Sequence, residues 1–291
     1  MRKLFRWFFI LLLIATIVLF VDSNTRLVTT EFELYFPNLP ESFDGYRIVL
    51  LADNHGVEHG ENNVRLLAAI REANPDIIAI AGDLIDRFQS GNPVENQFSV
   101  SEHLVGELLR IAPVYYVTGN HEWDSGMVRP FLEMLDERGV SVLQNRYVFL
   151  RPPGVDHAEP PGVSGYIILA GIEDPGGPAD MVRPEVFVEG IYEAHGEPFV
   201  IALYHRNNQL RLFSELGIDL VLSGHAHGGM VRLPFTDGLI GGNYEWFPTY
   251  TSGLYTRGDT KMIVSRGVGN HFGWTRFLNN PEVVVIELRV R

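Results

Sequence analysis

The chain has 291 residues, 46% of them apolar, and no cysteine. That length and apolar content support one large α/β domain with a full core, and the missing cysteines exclude disulfides, thiolate metal sites and cysteine nucleophiles. A formal net charge of −13 excludes nucleic acid as a general partner, because a phosphate backbone demands a basic face.

Arg2, Lys3 and Arg6 precede an uninterrupted apolar or small-residue run over 7–21. Extended by Leu4 and Phe5, with Arg6 snorkelling to the interface, the run approaches the ~20 residues that a bilayer span requires. No clear small-residue cleavage pair follows it, so a retained single-pass signal-anchor in the cell membrane is expected. Basic residues before the run, and none after it until Arg26, place the N-terminus in the cytoplasm and the bulk of the chain outside. Residues 1–29 are thus expected to be anchor and short linker, and residues 30–291 the folded domain.

Residues 31–36 alternate as a half-exposed strand does. Residues 47–52 form a buried-strand run ending in Asp53-Asn54-His55-Gly56, and 62–73 carry Val64, Leu67, Ala68 and Ile70 at helical spacing before Asn74-Pro75. Residues 76–81 repeat the arrangement and end in Gly82-Asp83-Leu84-Ile85-Asp86-Arg87. Ser99-Val100-Ser101-Glu102 reads as a capping box that opens a helix. A strand over 114–118 then ends in Gly119-Asn120-His121-Glu122. A helix over 127–138 with Gly139 as its stop precedes strands over 140–143, 147–150 and 166–170. The Pro/Gly-rich stretches 151–165 and 175–178 read as loops. A fourth run, 199–204, ends in His205-Arg206. A short helix over 208–216 leads to a fifth run, 218–222, and to Ser223-Gly224-His225-Ala226-His227-Gly228-Gly229. Strands over 262–265 and 283–290 follow, while 236–255 reads as a long surface loop.

Asp53, Asp83, Asn120 and His205 each have an ordinary reading as turn or capping residues. Five apolar strands that all deliver such residues at their C-terminal ends indicate a ligand crevice instead, where the loops of an open α/β sheet converge. His225 and His227, one residue apart on a glycine-rich turn, address one small volume.

The ordered blocks Asp-x-His, Gly-Asp-x-x-Asp, Gly-Asn-His-Glu, a lone His and Gly-His-x-His, all between Asp53 and His227, resemble the calcineurin-like metallophosphoesterases. The stretches 228–234 and 280–282 are similar to its membrane-associated bacterial branch. The resemblance implies a four-layer sandwich, two mixed β-sheets flanked by helices. Matched residue by residue, Asp53, His55 and His227 would hold one metal, Asn120, His205 and His225 a second, and Asp83 would bridge them. The cofactors would be two divalent transition-metal ions, Mn, Fe, Zn or Ni. Two such ions bring +4 against −2 from two carboxylates, so a bridging hydroxide leaves about +1 to attract a phosphate. By the same match His121 faces the leaving-group oxygen, as general acid or electrostatic stabiliser, and Asp86 bonds its other ring nitrogen. Arg87 resembles a phosphate-gripping arginine, with a solvated arginine as the alternative; Arg206 is a further candidate of that kind. Glu122 supports the loop. Asn54 and Ala226 depart from the usual family wording without removing a ligand. His59, His103, His157, His195 and His271 match no block and read as surface or structural residues.

The function implied is hydrolysis of phosphate mono- or diesters by attack of the metal-bridging hydroxide. The alternative is a membrane-facing pyrophosphatase acting on a lipid-linked nucleotide sugar such as a UDP-diacylglucosamine. Tyr244, Trp246, Phe247, Tyr250 and Tyr255 would then cover acyl chains, or else simply pack on the domain. A non-catalytic metal-binding scaffold is a third reading, against which the intact His121 and Asp86 count.

Overall fold

The apolar runs are too uniform for a sheet with one wet face, and the fold buries them on both sides. The computed structural model describes residues 2–87, 94–152, 165–178, 181–242, 245–270 and 275–291. Its first half comprises α1 (Arg2–Thr25), β1 (Val28–Phe36), β2 (Arg47–Leu51), α2 (Val64–Ala73), β3 (Ile77–Ala81), α3 (Val94–Leu108), β4 (Val114–Val117), α4 (Asn120–Asp124), α5 (Val128–Arg138) and β5 (Ser141–Val142). The second half comprises β6 (Arg146–Leu150), β7 (Ile167–Ile172), α6 (Pro184–His195), β8 (Val200–Tyr204), α7 (Leu210–Glu215), β9 (Leu220–Ser223), β10 (Gly253–Arg257), β11 (Thr260–Val264) and β12 (Glu282–Val290).

Two six-stranded sheets result, ordered β1-β12-β2-β3-β4-β5 and β10-β11-β9-β8-β7-β6. Both are mixed. Strands β2, β3 and β4 run parallel, as do β7, β8 and β9, whereas β12 is antiparallel to β2 and β6 to β7. Side chains alternate between two cores. Ile48, Leu50, Ile77 and Ala79 meet Leu169, Ile201, Leu203 and Leu222 between the sheets. Their neighbours Val49, Leu51, Ile78 and Ile80 pack under α2, α3 and α5 through Leu66, Ile70, Leu104, Leu108 and Phe131. On the far side, Ile168, Val200 and Val221 pack under α6 and α7 through Val188, Ile191 and Phe213. The architecture is the four-layer sandwich.

Several elements differ from the expected ones. Helix α3 begins at Val94, so Ser99 to Glu102 lie inside it and do not cap it; Phe98 packs on Phe131 with ring centroids 5.0 Å apart, and such tertiary contacts outweigh a local capping signal. Helix α6 carries no motif that marked it; it opens with proline in its first turn, and its Val188 and Ile191 face the core. Strand β10 takes the end of the expected 236–255 loop as an edge strand, largely exposed. Most of the expected 151–165 loop, residues 153–164, lies outside the described residues.

The N-terminal helix is continuous past its apolar run to Thr25, and β1 starts at Val28, pairing in register with β12 from Glu282 onward. The boundary expected between residues 29 and 30 therefore falls within β1. Ser23 and Asn24 are buried in the domain. Asn24 Nδ2 donates to the Arg276 carbonyl at 2.7 Å, and its Oδ1 accepts the Arg276 N–H at 3.1 Å. Arg276 is itself fully buried. Its guanidinium donates to the carbonyls of Gly269 and Arg266 at 2.7 Å and to Asn270 Oδ1 at 2.7 Å, and reaches the His227 carbonyl at 3.4 Å. Burial pulls its pKa down to about 10, against the opposing fields of Asp53 and Glu282, so it stays charged at neutral pH. Arg276→Met strips those carbonyls of their donor inside the protein, and a loss of about 3–5 kcal/mol is expected. Denaturant unfolding in detergent measures it; a loss below about 0.5 kcal/mol would mean that water replaces the guanidinium.

Candidate active site

Strands β2, β3, β4, β8 and β9 all end at one edge of the sandwich, and there the chain must leave an apolar sheet and turn its polar side chains inward. The turns are strained. Asp53, His55, Asp83, His225 and His227 have φ of 53°, 51°, 54°, 68° and 49°, the left-handed region that costs a non-glycine residue about 1–3 kcal/mol. Hydrogen bonds between the loops hold them there: Asp53 N–H to Gly82 O at 3.1 Å, His55 N–H to Asp83 O at 3.0 Å and Gly224 N–H to His205 O at 2.9 Å. Gly119 is required for a different reason, because a Cβ there would lie 2.1 Å from Asp83 Oδ1.

All seven expected ligand residues come together. Both oxygens of Asp53 accept the His225 N–H, at 3.1 and 3.0 Å. His227 Nε2 lies 3.7 Å from Asp53 Oδ1 and 3.2 Å from His55 Nε2. Asp83 Oδ1 accepts the His121 N–H at 2.9 Å, which leaves Oδ2 facing His205 Nε2 at 3.2 Å. That same Nε2 lies 3.1 Å from His225 Nδ1 and 3.2 Å from Asn120 Oδ1. Asp53, His55 and His227 form one group whose ligand atoms lie within 4.8 Å of one another, Asp83, His205 and His225 a second, and His55, Asp86 and His121 a third. In the third group His121 Nδ1 sits 2.5 Å from Asp86 Oδ1, and His121 Nε2 points toward Asp83 Oδ2 at 3.9 Å.

The electrostatics reflect buried carboxylates at close quarters. Burial, reinforced by Asp83, pushes Asp53 and Glu122 each up to about 7. Burial acts the same way on Asp83, yet His205 and His121 overcome it and hold that carboxyl well below its ordinary range. Burial would lower His205, but Asp83 and Asp53 raise it to about 10; His225, desolvated and beside His205, falls to about 3. His121 is raised because Asp83 and Asp86 outweigh its desolvation.

These residues fit divalent cations. His205 Nδ1 donates to the Ala81 carbonyl at 2.7 Å, so in the neutral ring Nε2 carries a lone pair. That lone pair faces Asp83 Oδ2, Asn120 Oδ1 and His225 Nδ1, a convergence of electron pairs that a cation resolves and a proton satisfies only in part. His225 Nε2 is buried with no hydrogen-bond partner among the described residues.

Glu122 supports the loops directly, accepting the N–H groups of Gly119 at 2.7 Å, Asp83 at 3.0 Å and Ile85 at 3.2 Å. The Arg87 N–H donates to Asp86 Oδ1 at 2.8 Å, which puts this half-buried residue beside the His121–Asp86 pair. Two donors of Arg206 are committed to the buried Asp174, at 2.6 and 2.9 Å. Gln97, which accepts the Asp86 N–H at 2.5 Å, and Asn279, which donates to the His227 carbonyl at 2.7 Å, lie outside every motif block. Asp174 also went unmarked, although it follows β7 as Asp53 follows β2, and the same strand-end rule points to it. His59 is buried against the Val268 carbonyl and His195 bonds Tyr147 Oη at 2.8 Å, both structural; His103 is exposed. His157, His271 and Tyr244 lie outside the described residues.

A two-sheet α/β sandwich with carboxylates and imidazoles clustered at its strand ends defines a metallophosphoesterase. The family model for calcineurin-like phosphoesterases matches residues 46–229, and the chain belongs to that family. It is 28% identical over 268 residues to the uncharacterized metallophosphoesterase YkuE of Bacillus subtilis, covering 90% of this chain and 85% of that one. A transmembrane protein with metallophosphoesterase domain from Danio rerio is 29% identical over 301 residues, 96% of this chain and 62% of its own length. The phosphodiesterase YaeI of Escherichia coli is 27% identical over 221 residues, covering 75% of this chain and 72% of that one. Among solved structures, a dimetal phosphatase from Danio rerio is similar at a TM-score of 0.45 and 12% identity, over 77% of this chain and 88% of that one.

Gly119→Ala tests the packing at Asp83. With φ of −103°, outside the left-handed region, the added methyl costs no backbone strain of its own and acts on Asp83, through its carboxylate and its backbone nitrogen 2.8 Å away. An overpacking loss of about 1–3 kcal/mol is expected, together with reduced bound metal by elemental analysis.

Proposed function

We propose that the chain hydrolyses phosphate esters with two divalent transition-metal ions, one held by Asp53, His55 and His227, the other by Asn120, His205 and His225, with Asp83 shared. The supporting observation is the convergence of lone pairs on His205 Nε2 in a buried site that holds a second carboxylate–imidazole group beside it. Ions in those positions supply Lewis acidity, polarising phosphoryl oxygens and acidifying a water. The ligand set of imidazole, carboxylate and amide suits Mn, Fe, Zn or Ni.

The rest falls to the protein's own residues. Asp86 accepts a hydrogen bond from His121 Nδ1–H, which orients the ring so that Nε2–H is the donor to the leaving oxygen. Burial disfavours the charged ring, but Asp83 and Asp86 outweigh it and raise the pKa of His121, which favours the protonated donor form. Arg87 stands beside this pair as a candidate phosphate grip, whereas Arg206, tied to Asp174, is placed to hold the His205 loop. An intact donor pair has no purpose in a silent scaffold. A relative named as a phosphodiesterase favours diesters. Helix α1, with 24 residues and an apolar window that the domain leaves uncovered, is long enough to cross a bilayer, and a relative is named as a transmembrane protein. We assign α1 as a membrane anchor with the catalytic domain, the remainder of the chain, on the extracytoplasmic side. A lipid-linked pyrophosphate is the second reading for the substrate, favoured by the hydrogen bonds from Asn24 to Arg276 that tie the anchor to the segment behind His227.

His121→Asn is expected to retain both ions and to lose turnover by roughly 10²–10⁴ on esters with poor alkoxide leaving groups, with a smaller loss on nitrophenyl esters. Equal losses on both, with metal intact, would make His121 a positioning residue. Asp83→Asn should instead lose metal and activity on both esters. For the orientation, protease added to intact cells is expected to cut the domain; protection, while a known external protein is digested, would reverse the assignment.

A further inference from the structure

We propose that Leu233, Phe235, Trp246 and Phe247 form a second contact with the lipid bilayer, on the leaflet where α1 emerges, and so hold the mouth of the metal site toward the membrane surface. The inference rests on α1 being a membrane anchor. Outside α1, Phe235, Phe247 and Trp246 are the most exposed large apolar residues among those described, at 107%, 71% and 70%, with Leu233 at 46%. Comparable aromatics elsewhere, such as Phe36, Phe43 and Phe131, are fully buried. Phe235 and Phe247 moreover take φ of 68° and 55°, a region in which a bulky residue is an outlier. The backbone is thus strained where it projects these rings away from the protein.

Hydrogen bonds connect this surface to the anchor. Asn24 clasps the main chain of Arg276. The next residue, Phe277, donates its N–H to the Met230 carbonyl at 3.2 Å, and its carbonyl accepts the Arg232 N–H at 2.9 Å. Leu233 and Phe235 follow at once, in a turn closed by Thr236 N–H to Leu233 O at 3.1 Å. Leu239 N–H bonds the Val231 carbonyl at 2.9 Å, and Phe247 N–H bonds Leu239 O at 2.9 Å. Phe235 is three residues from Arg232, within about 10 Å of chain, and the same segment begins at the candidate ligand His227.

The geometry selects a bilayer as the occupant. The apolar run of α1 ends at Val21, and at 1.5 Å per residue Asn24 lies only about 5 Å further along the axis. Because Asn24 is buried in the domain, this face of the domain is held at headgroup depth. The connection is rigid: Arg65 Nη1 donates to the Thr25 carbonyl at 3.0 Å, and only Arg26 and Leu27 separate α1 from β1. Trp and Phe are side chains suited to that interface. A substrate carried in the bilayer plane, an amphiphilic phosphate ester, then reaches the metal site without leaving the membrane surface.

The chain has no cysteine, so single cysteines carry unique spin labels. The full chain is reconstituted in phosphatidylcholine/phosphatidylglycerol nanodiscs with labels at Phe235→Cys, Trp246→Cys, Leu12→Cys in α1 and Arg110→Cys, which precedes β4 at the opposite end of the sheet. Collision with oxygen is compared with collision with a water-soluble nickel chelate. Labels at 235 and 246 are expected to be oxygen-dominated, at about 5–10 Å below the phosphate level, and the label at 110 aqueous. If 235 and 246 are as aqueous as 110 while 12 lies deep in the bilayer, the second contact is overturned and the anchor stands. An aqueous label at 12 overturns the anchor itself and with it this inference. Dipolar broadening at 235 and 246 without oxygen dominance would show a second copy of the chain on this surface, also overturning the bilayer contact.

Discussion

The carboxylate of Asp83 is the point on which the rest of the site depends. It is fully buried, and a charge in that position is tolerated because a backbone donor and the imidazoles of His205 and His121 face it. One oxygen is fixed by the His121 N–H, the other faces His205, and the backbone N–H of Asp83 is held by Glu122. At an effective dielectric near 20, two unit charges 4 Å apart interact by about 4 kcal/mol, enough for Asp83, with Asp53, to hold His205 positive against its desolvation.

Asp83 also explains why the site lies at the seam of the sandwich. It comes from β3 in one sheet, while His205 and His225 follow β8 and β9 in the other. Between the sheets lies an extensive apolar cluster. At the strand ends buried polar side chains bridge them, as His205 Nδ1 to the Ala81 carbonyl does, so ions bound there would cross-link two halves that meet mainly through dispersion and hydrophobic burial. The left-handed turns at Asp53, His55, Asp83, His225 and His227 are the local cost of aiming side chains across that seam.

Arg276 does comparable service on the outer side. It gathers the carbonyls of the 266–270 segment, reaches toward His227 and is itself clasped by Asn24 from the last turn of α1. A helix that composition presents as a simple tether is therefore built into the scaffold behind a candidate ligand, and the domain cannot swivel freely about it.

What rests on local patterns was legible in the sequence alone. Apolar runs with both faces alike specified buried strands, and Asp, Asn or His after each run located the crevice, because a strand end in a two-face-buried sheet is the only place where such side chains can reach ligand. The five motif blocks then pointed to the family, and the apolar run after Arg2, Lys3 and Arg6 marked α1. Tertiary structure decided what no local pattern encodes. Gln97 behind Asp86, Asp174 beneath Arg206, Asn279 against His227 and Arg276 against Asn24 are pairings across 11 to 252 residues of chain. The start of α3 was likewise set by packing rather than by its apparent cap, and β10 was fixed by its neighbour β11 rather than by its own composition. The reason is the same in each case: a hydrogen bond or a buried contact between distant residues leaves no periodicity in either segment, so it exists only once the chain has closed on itself.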